Sequence, residues 1–107
     1  MHEKLPKEIK VGPYIYQILL KDNIRDDGDR KCFGICVHHE HVIMIDVLCP
    51  EDRARVVVIH ELLHALMELV GLDKEAYKEE EIVVALAPAL TMLLMDNPTL
   101  LEYLNAR

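Results

Sequence analysis

The chain has 107 residues, a net charge of −7 at pH 7 and no tryptophan. This length predicts a single domain, residues 1–107, with a modest and mostly aliphatic core. The acidic balance argues against a nucleic-acid-binding surface, which needs clustered basic residues. No apolar run reaches the roughly 18 residues of a membrane span. The N-terminal MHEKLPKEIK lacks the apolar segment of a signal peptide, so we expect a cytoplasmic protein.

Three segments in the first half, residues 11–20, 32–37 and 42–47, have the β-branched and aromatic residues typical of strands. The charged stretch 22–31 predicts a loop. The polar run His38-His39-Glu40-His41 predicts a hairpin turn between the last two strands. We therefore expect a small antiparallel sheet of about three strands. The three cysteines form no C-x-x-C pair, which favours free thiols.

A long helix is predicted from about Pro50 to Val70. Proline suits the first helical position, and Gly71 suits a left-handed residue that ends the helix. A second helix is expected to begin near Asp73 or Lys74.

The apolar residues of this second helix keep helical spacing on both sides of Pro88. This spacing predicts a kink rather than a break, although an interior proline costs about 3 kcal/mol. Asn97 as a cap and Pro98 as first residue predict a short last helix. Strands followed by helices indicate an α+β fold.

The first helix contains His60-Glu61-x-x-His64 within an otherwise apolar stretch. Residues four apart differ by about 40° around a helix, so the two histidines project from one face. Both imidazoles can then reach one zinc ion at about 2.0–2.1 Å. Glu61 lies about 100° around the axis, where it suits a general base that takes a proton from water. The motif predicts a catalytic zinc site.

A catalytic zinc site needs a third protein ligand. The candidates are Glu79, Glu80 and Glu81, because an antiparallel second helix would bring its start alongside His64. The apolar periodicity of that helix favours Glu79 or Glu80 over Glu81. Two imidazoles and one carboxylate suit zinc.

The runs HELLHALMELVG and EEEIVVALAPALTMLLMDNP resemble the minimal zincin-like metallopeptidase domains of phages and prophages. These domains are similar to compact metallopeptidases that cleave repressors. The resemblance includes FGICVHHEHVIMID as the hairpin before the active helix. It implies a zinc peptidase with His60 and His64 as ligands and Glu61 as base. Matching E-x-x-x-x-x-L-A favours Glu80 as third ligand. The resemblance as a whole implies a peptide or protein substrate, such as a repressor.

Several alternatives stay open. The hairpin histidines fit a polar turn better than a second metal site. Tyr77 is a candidate donor to an oxyanion, although such a tyrosine more often packs its ring. The strand at 42–47 is a candidate sheet edge for an extended substrate. Two rival functions are a non-catalytic zinc-binding interaction module and a metal-free helical interaction protein. Oligomeric state is left open by the sequence.

Overall fold

The computed structural model describes residues 2–72 and 77–106, except for the side chains of residues 79, 80 and 83. Within these ranges, four strands precede three helices, which confirms the predicted α+β class. The strands are β1 (Glu8–Val11), β2 (Tyr14–Lys21), β3 (Gly34–Val37) and β4 (Val42–Asp46). The helices are α1 (Glu51–Leu69), α2 (Glu79–Asp96) and α3 (Pro98–Asn105).

The sheet is mixed rather than antiparallel, with strand order β1-β2-β4-β3. The predicted single strand at residues 11–20 is divided, because Gly12, at φ 59°, helps turn the chain between β1 and β2. Strand β4 then lies between β2 and β3 and runs parallel to β2. The prediction that residues 42–47 form a sheet edge is therefore wrong. Strand β3 is the edge on that side.

Helix α1 has nearly the predicted ends. Pro50 occupies the N-cap position, and Gly71 adopts a left-handed conformation at φ 78°. The amide of Leu72 donates to the carbonyl of Met67 at 2.7 Å, and the amide of Gly71 donates to the carbonyl of Glu68 at 3.1 Å. This pair of bonds is a Schellman motif, which satisfies carbonyl groups that the helix end would leave unpaired. The termination predicted at Gly71 is confirmed.

One face of α1 packs on the sheet and forms the core. The buried residues of that face are Ala54, Val58, Leu62, Ala65 and Leu66, and the sheet contributes Ile9, Val11, Ile43 and Ile45. Burial of large aliphatic side chains contributes about 1.5–3 kcal/mol each. This packing fixes the rotation of α1 about its axis, and so fixes the direction in which its polar residues project.

Helix α2 begins at Glu79, later than predicted, because Lys78 is extended with φ −74° and ψ 151°. Residues 73–76, where the predicted start falls, lie outside the described residues. The helix continues through Pro88, as expected. Leu93 is buried, whereas Leu90 is 39% exposed.

Asn97 links this helical layer to the sheet. It stands at the N-cap of α3 but makes no side-chain capping bond. Its Oδ1 instead accepts from the amide of Lys10 at 2.9 Å, and its Nδ2 donates to the carbonyls of Lys10 and Leu93 at 2.9 and 2.8 Å. The predicted cap is therefore a connection between β1 and the α2–α3 junction.

The three cysteines are free, with Cys49 buried. Within the described ranges, no single helix is long and apolar enough to cross a membrane. The segments Val84–Asp96 and Pro98–Asn105, bent by 86° from each other, meet that criterion only when joined.

Candidate metal centre

His60 and His64 stand one turn apart on α1, and their rings come close together. The two Nε2 atoms are 3.2 Å apart, and the ring planes are inclined by 72°. Two nitrogen ligands bound at about 2.0–2.1 Å with a tetrahedral angle between them would be about 3.3 Å apart. The separation thus fits two ligands of one zinc ion. It also fits a hydrogen bond from one imidazole to the other.

Glu61 is the buried member of the group, with 7% of its surface exposed. Its carboxylate and the two imidazoles offer ligand atoms that all lie within 4.8 Å of one another. Burial raises the pKa of Glu61, and the neighbouring His60 and His64 partly oppose that rise. A carboxylate with a raised pKa is a stronger base, and a pKa closer to neutral pH suits a group that must both accept and release a proton.

These three side chains line a cleft of about 540 Å³ beside the edge strand. Gly34 and Ile35 of β3 form part of its wall. All four residues of β3 are partly exposed. The edge of a sheet presents unpaired backbone groups that an extended chain can use. The cleft therefore combines a candidate metal centre with a backbone surface suited to a peptide.

The third ligand predicted from sequence, Glu80, has a side chain outside the described part of the structure, as does the alternative, Glu79. Both residues lie in the first turn of α2, and the neighbouring Glu81 is exposed. Among the described side chains, His60, Glu61 and His64 are the one group of three or more metal-ligating residues that is close enough to hold an ion. The assignment of Glu80 remains a prediction.

The hairpin histidines do not form a second cluster. His39 is 85% exposed at the tip, next to Glu40. The ring of His41 lies 4.6 Å from that of Tyr14. His38 turns towards α1, where its Nδ1 contacts the carboxylate of Glu68. The turn itself is confirmed, because residues 38–40 form a single 3₁₀ turn between the antiparallel strands β3 and β4.

Two further residues clarify the surroundings of the site. The hydroxyl of Tyr77 donates to the carbonyl of Gly71 at 2.9 Å, so it is engaged near the end of α1.

Glu68, which also borders the site, was assigned no role from the sequence. Its position one turn after His64, in the series 60, 64, 68, is the signal that could have placed it on the same side of the helix.

No protein-family model, curated protein or solved structure matches the chain. The resemblance to compact zincin-like peptidases therefore stays a prediction, and the geometry of the cleft must support any functional proposal.

Proposed function

We propose that the protein is a zinc-dependent peptidase. One observation carries the proposal. Two imidazole nitrogens 3.2 Å apart and a buried carboxylate lie together in a cleft beside a sheet edge. His60 and His64 are exposed, whereas Glu61 is buried. A buried carboxylate is costly unless it is paired, and a cation held beside it would offset that cost.

His60, His64 and Glu80 are the proposed zinc ligands. Two imidazoles and one carboxylate would leave an open position for chemistry, as in catalytic rather than structural zinc sites. A zinc ion bound there would supply Lewis acidity, which lowers the pKa of water and polarises a carbonyl group. Placing Glu80 in this set rests on the sequence resemblance.

Glu61 is the proposed general base. It takes a proton from the attacking water and passes it to the nitrogen of the leaving amine. Its burial favours this role, because the raised pKa brings the protonated form closer to working pH. Its place against β3 also holds the carboxylate on the side of the cleft where a peptide backbone would lie.

The proposed substrate is an extended segment of a peptide or protein that pairs with β3. Backbone hydrogen bonds to a sheet edge bind a chain in extended form with little dependence on its side chains. A repressor is the example that the resemblance offers. The proposed setting is the cytoplasm, with neither nucleic acid nor a membrane as partner.

A non-catalytic zinc-binding interaction module is the second candidate. It is favoured by Cys36 and His38, which line the same cleft and carry side chains that zinc accepts. If one of them occupied the fourth coordination position, water would be excluded and the site would be structural.

The substitution Glu61→Gln tests the peptidase. We expect the variant to retain zinc and to lose at least about 100-fold in cleavage of fluorescein-labelled casein, because the amide cannot accept the proton. Glu102→Gln, the same change at an exposed position on α3, serves as control. A Glu61→Gln protein that cleaves casein at the parent rate would rule out this mechanism.

A further inference from the structure

The pair formed by His38 and Glu68 borders the cleft and is unused by the mechanism above. His38 follows β3 directly, and Glu68 lies on α1 one turn beyond His64. The Nδ1 of His38 contacts Oε2 of Glu68. A carboxylate accepts hydrogen bonds, so Nδ1 carries a proton and donates. The contact fixes the ring between the hairpin and the helix.

With Nδ1 engaged, Nε2 is the ring nitrogen left for other chemistry. No hydrogen bond to this Nε2 is formed by the residues that the structure describes. The side chain of His38 lines the cleft together with His60, Glu61 and His64. It is also near enough to Glu61 to favour the charged form of that carboxylate.

Cys36 is the other reactive group beside this pair, and its chemistry excludes it as a nucleophile. Its Sγ lies 3.6 Å from Nδ1 of His38, the same nitrogen that contacts Glu68. Burial raises the pKa of Cys36 to about 12, so the sulfur stays a thiol at neutral pH. Nucleophilic attack needs the thiolate. Of the reactive side chains at this place, His38 is therefore the one available for catalysis.

We propose that His38 is a further catalytic residue of this peptidase and that Glu68 is its positioning residue. The inference rests on the proposed function. When water attacks the scissile carbonyl, an electron pair moves onto the carbonyl oxygen. An Nε2–H on the ring that Glu68 holds through Nδ1 donates a hydrogen bond to that oxygen. The electron pair on this oxygen re-forms the C=O bond when the C–N bond breaks. Donors placed where charge develops act mainly on the transition state.

The contact also suits a purely structural role, in which it holds the hairpin against α1. The substitution His38→Asn separates the two roles. The asparagine amide can still donate to Glu68 from a position near that of Nδ1, but nothing replaces Nε2. A structural contact with Glu68 would survive His38→Asn, whereas the hydrogen-bond donor to the oxyanion would be lost. His39→Asn makes the same change at the exposed neighbouring residue and serves as matched control.

The experiment measures casein cleavage over a range of casein concentrations with the zinc-loaded parent, His38→Asn, Glu68→Gln and His39→Asn. We expect apparent kcat to fall about 100-fold in His38→Asn, as for loss of one oxyanion donor. KM, zinc content and Tm should stay at parent values. Glu68→Gln should lower kcat by a smaller factor, and His39→Asn should match the parent.

The outcomes distinguish the two proposals. If the parent and His38→Asn cleave casein equally well, His38 has no catalytic role and the peptidase proposal stands. A fall in kcat that is matched by losses of zinc or of Tm would make the pair structural and overturn the inference. If zinc-loaded parent does not cleave casein, both the peptidase and the role of His38 are contradicted.

Discussion

Gly34 and Glu61 face each other across the interface between β3 and α1. A Cβ atom on Gly34 would lie 3.3 Å from Oε2 of Glu61 and 2.5 Å from Cγ1 of Val57. The 2.5 Å distance is too short for two non-bonded carbon atoms. Val57 cannot easily move away, because a β-branched side chain is stiff in a helix. The close approach of α1 to the edge strand, and with it the position of the candidate base, depends on a residue without a side chain.

The substitution Gly34→Ala should therefore push α1 away from β3. We expect a loss of about 1–3 kcal/mol in the free energy of unfolding, typical of overpacking, together with lower casein cleavage. Urea unfolding and the casein assay measure both effects. Gly28→Ala is the control, because a Cβ there would meet only Asp26 Oδ1, at an ordinary 3.4 Å. Equal stability of the two variants would contradict the tight contact.

The burial of Glu61 predicts a pH-dependent cost to the metal-free protein. Its pKa is raised in the folded state, so the folded state holds this proton more tightly than the unfolded state. The cost of the charged form is absent below the unfolded pKa, grows as pH rises through the raised pKa, and is full above it.

Removing this charge should therefore stabilise the metal-free fold at neutral pH. We expect Glu61→Gln to raise the free energy of unfolding relative to the parent at pH 7, with a smaller gain at pH 4. Urea unfolding in the presence of chelator measures the difference. The exposed change Glu40→Gln controls for net charge. A gain that is larger at pH 4 than at pH 7 would contradict the sign.

The side chain of Asn97 should be a major contributor to stability. Asn97→Ala removes three hydrogen bonds and leaves the amide and carbonyl of Lys10 without these partners. We expect a loss of about 3 kcal/mol in urea unfolding, since unpaired buried groups cost about 1–3 kcal/mol each. Asn105→Ala removes one exposed bond to Leu101 and should cost about 0.5 kcal/mol or less. Similar losses in the two variants would contradict this role.

Helix α1 was predictable because its signals are local. Pro50 and Gly71 mark the ends of α1, and the spacing of His60 and His64 places both on one face without any knowledge of the sheet. The fold class and the approach of the two imidazoles follow from these short-range rules.

The sheet was only partly predictable because strand pairing is a long-range property. The parallel pairing of β2 with β4 depends on how the chain crosses between residues 22 and 33, and this stretch has no periodic pattern. The same crossing makes β3 rather than β4 the edge. The contact of His38 with Glu68 was missed for a related reason, since it joins a turn to a helix 30 positions later in the chain.

The metal content of the purified protein, measured by plasma mass spectrometry, tests the central claim most directly. The parent, His64→Ala, Glu79→Ala and Glu80→Ala are compared after zinc loading and removal of free metal. We predict about one zinc per chain in the parent and in Glu79→Ala, and loss of zinc in His64→Ala and Glu80→Ala. Loss of zinc in Glu79→Ala instead of Glu80→Ala would assign the third ligand to Glu79. A parent that holds no zinc even after loading would contradict the metal centre itself.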